Sequence, residues 1–285
     1  MGRKLILRAA DGHQLGAYRA DPAGPPKGRI VVIQEIFGVN RHIRAVCDRL
    51  AAAGYSALAP QIFDRLVRDF ETGYSEAEIA KAREYMVRVD WAKVMLDTAA
   101  AVDLMKREGA PAIIGFCMGG TVAYLAAARL GGLTAAVCYY GGMIAKHADE
   151  KPRCPTQMHF GALDDHIPMS DVAAIRAKRP ECDIHVYAGA GHGFHCDERA
   201  SYEPASAKIA WDRSLAFLAR AFAAARPSAP PLPPRPMGMP RPPMPSPAPK
   251  AKAKAKRKSR PKTKKKAAKK SRKKSKKKAK RKKRR

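Results

Sequence analysis

The first 225 residues alternate between short apolar runs and stretches in which apolar positions recur every three or four residues. The β-branched run at residues 29–34 predicts a buried strand, and residues 40–53 have the spacing of a helix that ends at Gly54. Further strands are predicted at 55–59, 112–114, 135–139, 156–160 and 183–187, and further helices from Ser75 and at 91–107, 118–129, 172–178 and 203–224. This alternation predicts an α/β fold with a mostly parallel, doubly wound sheet that has helices on both faces.

Charge divides the chain into three parts. Of its 285 residues, those at 250–285 include 25 Lys or Arg and no acidic residue, whereas residues 1–225 hold 28 basic and 25 acidic side chains. Residues 226–249 contain 12 prolines. We therefore predict a globular domain over 1–225, an extended Pro-rich linker over 226–249 and a disordered Lys/Arg-rich tail over 250–285. Most of the net charge of +31 therefore lies in the tail.

Several classes of protein are excluded by composition. No apolar run approaches the roughly 20 residues of a membrane-spanning helix, and the first residues lack the apolar stretch of a secretion signal. The six cysteines are scattered and form no C-x-x-C pair, which is typical of free thiols in a reducing compartment. We expect a cytoplasmic monomer, which the tail can bring to the nucleoid.

The hexapeptide G-F-C-M-G-G at residues 115–120 follows a predicted strand and begins a predicted helix. It has the nucleophile-elbow pattern G-x-S-x-G with Cys117 in place of serine. Glycines flank the central residue because the turn strains it, and the start of a helix favours a thiolate. The alternative is a buried cysteine in a tight turn.

A base and an orienting acid follow the elbow in the order that α/β-hydrolases use. Asp164 lies in the loop G-A-L-D-D-H-I-P after one predicted strand, and His192 lies in A-G-H-G-F after the next. Asp165 competes with Asp164, and His192 could be an ordinary loop histidine. The spacing His192-x-x-His195-Cys196 resembles that of metal ligands, but no further ligands stand at a recognised spacing. We expect neither a metal nor a cofactor.

Together with the segment Q-E-I-F-G-V-N at residues 34–40, these motifs resemble those of the dienelactone hydrolase (carboxymethylenebutenolidase) family over about residues 4–222. The resemblance implies an α/β-hydrolase fold and a cysteine-dependent hydrolase of a lactone or activated ester. Carried over by position, it implies Cys117 as nucleophile, His192 as base and Asp164 as its orienter. It also implies Glu35 as a gate near the resting thiol, for which the alternative is a solvated acid. The implied oxyanion hole consists of the backbone N–H groups of Ile36 and Met118.

The chain departs from this family at the arginines that hold the carboxylate of dienelactone. One of them stands four residues after the catalytic histidine, where this chain has Cys196, and the second has no counterpart around residues 79–81. Arg65, Arg68 or Arg199 could substitute. A different lactone, ester or thioester is therefore an alternative substrate.

The tail predicts non-specific binding of nucleic acid, because lysines that neutralise phosphates release condensed counterions. A Lys/Ala-rich segment offers no frame for reading bases, and it carries no aromatic residue for stacking on single strands. RNA, an anionic membrane surface and polyphosphate are alternatives to DNA, and a merely solubilising tail is the simplest one. The whole chain could then be a tethered hydrolase, or a nucleoid-coating protein whose hydrolase domain is inactive or of minor importance.

Overall fold

The computed structural model describes residues 2–225, so the predicted linker and tail lie outside the described residues. Eight strands form one sheet: β1 (Arg3–Arg8), β2 (Gln14–Ala20), β3 (Arg29–Ile33), β4 (Ser56–Pro60), β5 (Ala112–Phe116), β6 (Ala136–Tyr139), β7 (Thr156–Gly161) and β8 (Asp183–Tyr187). The α-helices are α1 (Arg41–Ala52), α2 (Glu76–Met86), α3 (Trp91–Lys106), α4 (Met118–Arg129), α5 (Met169–Lys178) and α6 (Pro204–Ala224). None of the helices in the described range is long and apolar enough to cross a membrane.

The sheet order is β1-β2-β4-β3-β5-β6-β7-β8. Strands β3 to β8 run parallel to one another, whereas β2 pairs antiparallel with both β1 and β4. The predicted mostly parallel α/β sheet is therefore confirmed. A capping box begins α2, since Ser75 and Glu78 each accept a hydrogen bond from the other's backbone N–H.

Strands β1 and β2 were not predicted from the sequence. Both lie at the antiparallel edge of the sheet, where one face of the outer strand meets solvent and charged residues interrupt the apolar alternation. Ile6 on β1 stays 64% exposed, which shows how little of this strand contributes to the core. Arg19 fastens the hairpin to the domain through two hydrogen bonds to Glu108, of 2.7 and 2.8 Å.

The core is most tightly packed around the central strand β5 and the helix α4 that follows it. All five residues of β5 are buried, and so is every residue of α4 before Arg129. A Cβ atom on Gly119 would overlap the backbone oxygens of Ile33 and Gln34, so only glycine lets α4 approach β3 this closely. This approach brings the start of α4 to the carboxyl edge of the sheet.

Candidate active site

Cys117 stands between β5 and α4 in a strained backbone conformation. Its φ of 55° and ψ of −117° lie outside the regions that residues with a side chain prefer. Its N–H donates to the carbonyl of Tyr139 over 3.0 Å, and its carbonyl accepts from the N–H of Gly120 over 2.9 Å. The strained turn that the flanking glycines predict is therefore present, with the thiol at the carboxyl edge of the sheet.

The imidazole of His192 lies between a sulfur and a carboxylate. Its Nε2 is 3.1 Å from Sγ of Cys117, and its Nδ1 is 2.8 Å from Oδ2 of Asp164. The other oxygen of Asp164 accepts the backbone N–H groups of His166 and Ile167, at 2.9 and 3.2 Å. Because the buried carboxylate accepts a hydrogen bond from Nδ1–H, Nε2 is left to exchange a proton with the thiol.

The structure separates the two neighbouring aspartates that the sequence left open. Asp164 has no exposed side-chain surface and contacts His192, whereas the side chain of Asp165 is 83% exposed and lies 3.7 Å from the ring of His166. Asp164 is thus the residue that the fold brings to the imidazole.

Electrostatics favour an ion pair between His192 and Cys117. Burial alone lowers the pKa of His192, but the charge of the Cys117 thiolate and the hydrogen bond to Asp164 outweigh it and raise this pKa to about 10. A negative charge on the Cys117 sulfur and a proton on His192 therefore stabilise each other.

Two backbone N–H groups stand close to the thiol in the chain. Met118 is the first residue of α4, so its N–H precedes the first hydrogen bond within that helix. Ile36 follows the adjacent strand β3, and its N–H donates to no backbone acceptor in the described range. Since β3 and β5 pair in parallel with Ile33 opposite Gly115, both donors lie at the same edge of the sheet.

Glu35 is fully buried, which excludes the solvated-acid alternative. Its Oε1 lies 3.4 Å from Nη1 of Arg199, and its Oε2 has no hydrogen-bond partner among the described residues. Glu35 makes no hydrogen bond to the Cys117 thiol in residues 2–225. The guanidinium of Arg199 lies over the rings of Phe37 and Tyr74, with its Cζ 5.5 and 5.9 Å from their centroids.

Of the three arginines considered from the sequence, only Arg199 contacts a residue of the site. Arg65 pairs with the buried Asp97 over 2.7 Å, and Arg68 pairs with Asp64 over 3.1 Å. Arg199 reaches the site because its N–H donates to the carbonyl of Cys196, which closes a turn in the loop before α6. Burial raises the pKa of the Cys196 thiol to about 12, with the charge of nearby Glu35 adding to this effect.

Tyr140 is a residue of the site that was not predicted from the sequence. This residue is fully buried, has a positive φ of 37°, and its ring meets that of His192 edge-on at a centroid distance of 5.2 Å. A signal was available, because Tyr140 follows β6 directly and therefore lies at the same sheet edge as Cys117.

A family model described as the dienelactone hydrolase family matches residues 15–222. The chain belongs to the dienelactone hydrolase family. It is 30% identical to the carboxymethylenebutenolidase of Pseudomonas putida over 225 residues, which are 75% of this chain and 95% of that protein. A Methylorubrum extorquens protein that is provisionally named carboxymethylenebutenolidase is 38% identical over 217 residues, which cover 69% of this chain and 74% of that protein.

A solved structure supports the same assignment. A provisionally named dienelactone hydrolase from Klebsiella pneumoniae has 32% sequence identity and a TM-score of 0.68, covering 78% of this chain and 99% of that one. The dienelactone hydrolase-like chain is thus a hydrolase with the α/β-hydrolase fold, as its sequence motifs indicated.

Replacing Cys117 with alanine removes the thiolate charge that raises the pKa of His192. We expect the pKa of His192 to fall from about 10 toward or below its ordinary value of 6.5, because burial then acts with less opposition. An NMR titration of the His192 ring in both proteins measures this shift. Cys154→Ala, which changes a half-buried thiol elsewhere, should leave the titration unchanged. Identical curves for wild type and Cys117→Ala would contradict the ion pair.

Proposed function

We propose that this dienelactone hydrolase family member hydrolyses a lactone or activated ester through an acyl-enzyme on Cys117, with His192 as base and Asp164 as its orienter. One observation carries the proposal: Sγ of Cys117, the imidazole of His192 and the Asp164 carboxylate form a line with contacts of 3.1 and 2.8 Å. The line begins at a strained residue on the start of a buried helix. Relatives named carboxymethylenebutenolidase support a lactone as the substrate class.

In the first half of the reaction the Cys117 thiolate attacks the carbonyl carbon of the substrate. The negative charge moves to the carbonyl oxygen, and we assign the N–H groups of Ile36 and Met118 as its donors. Such a donor typically contributes about 3 to 4 kcal/mol to transition-state stabilisation. The C–O bond then breaks, the leaving oxygen takes the proton of the His192 imidazolium, and a thioester remains on Cys117.

In the second half, water hydrolyses that thioester. Acylation removes the thiolate charge, so the main contribution that raises the pKa of His192 disappears and the ring is neutral. Neutral Nε2 accepts a proton from water, and the resulting hydroxide attacks the acyl carbon. Collapse of this intermediate breaks the C–S bond, restores the thiolate beside the imidazolium and releases the carboxylic acid, which loses its proton to solvent.

Glu35 is proposed as the gate of the site. In the substrate-free protein Oε1 faces Arg199 and Oε2 has no partner among the described residues, so the carboxylate is held by a single ionic contact. A substrate anion that binds Arg199 would release Glu35 and let it reach the thiol.

The central test replaces Cys117 with alanine. We expect kcat/KM on an activated aryl ester to fall about a thousand-fold or more, because no covalent intermediate can form. The wild-type protein, quenched during turnover, should show the acyl mass on the peptide that contains Cys117. Cys154→Ala serves as the matched control and should retain full activity. Undiminished hydrolysis by Cys117→Ala would defeat the proposal.

We further propose that Arg199 holds an anionic group of the substrate. Arg199→Gln should raise KM about 10-fold or more for esters that carry a carboxylate, since one charge-assisted hydrogen bond contributes about 1.5 to 3 kcal/mol. Esters of the same leaving group without a carboxylate should be unaffected. The control is Arg68→Gln, whose arginine pairs with Asp64. An equal loss for both kinds of ester would show that Arg199 does not recognise the anion.

The tail is proposed to bind nucleic acid without sequence preference, which would locate the hydrolase on a polyanion. This proposal rests on the sequence alone, with 25 Lys or Arg and no acidic residue at 250–285. An active thiol would favour a tethered hydrolase over the alternative of a nucleoid-coating protein whose hydrolase domain is inactive.

A gel-shift titration tests the tail. The full-length protein should shift duplex DNA with an affinity that falls steeply with salt, with a slope near −9 in log affinity against log salt for about 10 contacted phosphates. A chain ending at Ala225 should give no shift, because its basic and acidic residues nearly balance. A shift that persists in the shortened chain would refute the role of the tail.

A further inference from the structure

Three residues with metal-binding side chains meet beside the active site. Glu35 follows β3, His42 lies in the first turn of α1, and Cys196 lies in the loop between β8 and α6. All three are fully buried, and one ligand atom from each lies within 4.8 Å of the other two. The fold assembles this cluster from distant parts of the chain.

Two atoms of the cluster lack hydrogen-bond partners within the described part of the chain. They are Oε2 of Glu35 and Nε2 of His42. A buried acceptor without a partner costs about 1 to 3 kcal/mol, so two in one place require a physical explanation. A guest that accepts electron pairs from both atoms would provide it.

His42 is also oriented as metal-ligating histidines usually are. Its Nδ1 lies 3.3 Å from Oδ1 of Asp197, which requires a proton on Nδ1 and leaves the lone pair of Nε2 free. Metal-bound histidines typically donate their second nitrogen to a carboxylate in this way, which fixes the tautomer and the ring orientation. Asp197 is adjacent to Cys196, so one loop supplies both a ligand and this supporting carboxylate.

We propose that Glu35, His42 and Cys196 form a binding site for Zn²⁺ with a fourth position open to water. Thiolate, imidazole and carboxylate are the three ligand types that Zn²⁺ takes, whereas Mg²⁺ and Ca²⁺ require oxygen ligands. Tetrahedral bonds of about 2.0 to 2.3 Å place ligand atoms about 3.3 to 3.8 Å apart. The three side chains therefore need to close by only about 1 Å.

The charges of the site suit a divalent ion. On binding, the S–H bond of Cys196 breaks, its proton passes to solvent, and the thiolate sulfur bonds to the metal without any redox change. The thiolate and the Glu35 carboxylate then balance the two positive charges. Arg199 need not leave, because it faces Oε1 of Glu35 while the unpartnered Oε2 is the oxygen assigned to the ion.

This proposal revises the sequence-based expectation of no metal. The spacing His192-x-x-His195-Cys196 supplies only Cys196, since His192 contacts Cys117 and the ring of His195 stacks on Phe116 at 5.2 Å. The other two ligands precede Cys196 by more than 150 positions in the chain. Apart from Glu35, which it shares with the proposed gate, the site does not depend on the proposed hydrolytic mechanism.

The test measures zinc bound by the full-length protein in a Cys117→Ala background, which removes the competing thiol beside His192. After treatment with a chelator, incubation with Zn²⁺ and gel filtration, we expect one zinc per chain by elemental analysis. Glu35→Gln, His42→Gln and Cys196→Ser in that background should each lose the ion, whereas Cys47→Ala should keep it. Cys47 is a matched control because it is fully buried on α1 and lies outside the cluster.

Two further measurements keep the test decisive if a buried variant fails to fold. Asp197→Asn changes a half-exposed residue and should weaken zinc binding about 10- to 100-fold, as losses of such supporting carboxylates do. Co²⁺ in place of Zn²⁺ should give a thiolate-to-metal charge-transfer band that Cys196→Ser abolishes. Absence of zinc from Cys117→Ala, or zinc that Cys196→Ser and Asp197→Asn retain with undiminished affinity, would overturn the proposal.

Discussion

The close approach of α4 to the ends of β3 and β5 is the constraint on which the site depends. A Cβ atom on Gly115 would overlap the carbonyl of Gly119, and one on Gly119 would overlap the carbonyl of Ile33. With glycine at both positions, the chain turns from strand to helix within a single residue. That residue is Cys117, whose strained backbone costs about 1 to 3 kcal/mol and is held in place by a helix buried along nearly its whole length.

The two buried carboxylates beside this turn, Asp164 and Glu35, differ in how completely they are hydrogen-bonded. Asp164 accepts hydrogen bonds from His192 and from two backbone N–H groups, so its carboxylate is fully engaged although no water reaches it. Glu35 has a single long contact with Arg199 and one free oxygen in the described range. A carboxylate held this loosely can change partners at low cost, whereas Asp164 cannot. Glu35 is therefore the carboxylate that can change its partner, whereas Asp164 fixes the orientation of His192.

Much of this site could be predicted from the sequence because parallel strands bring their carboxyl ends to one edge. The loops after β5, β7 and β8 each carry one residue of the line from Cys117 to Asp164, and the strand and helix boundaries around them were close to those observed. The choice between Asp164 and Asp165 could not be made, since adjacent residues in a turn point in different directions. The register of β6 against β5, which pairs Phe116 with Tyr139, places Tyr140 beside Cys117.

Contacts between distant segments were the part that the sequence could not predict. Arg199 lies seven positions after His192 and reaches Glu35 only because a turn folds the loop before α6 back over the site. His42 lies at a position of α1 that faces the core. Its contact with Asp197 links α1 to that same loop. The spacing of residues along the chain does not predict such a contact. The contact depends on how a loop without regular secondary structure crosses the edge of the sheet.

The large net charge and the chemistry of the site have separate physical origins. The pKa of His192 is set by Cys117 and Asp164, which lie within about 3 Å and are buried, where salt screens charges little. A polyanion bound to the 25 cations of residues 250–285 would instead compete with salt, because that affinity comes from released counterions. If the tail binds a polyanion as proposed, ionic strength would act mainly on that binding, whereas the pKa of His192 depends on buried neighbours that the net charge of the chain does not reveal.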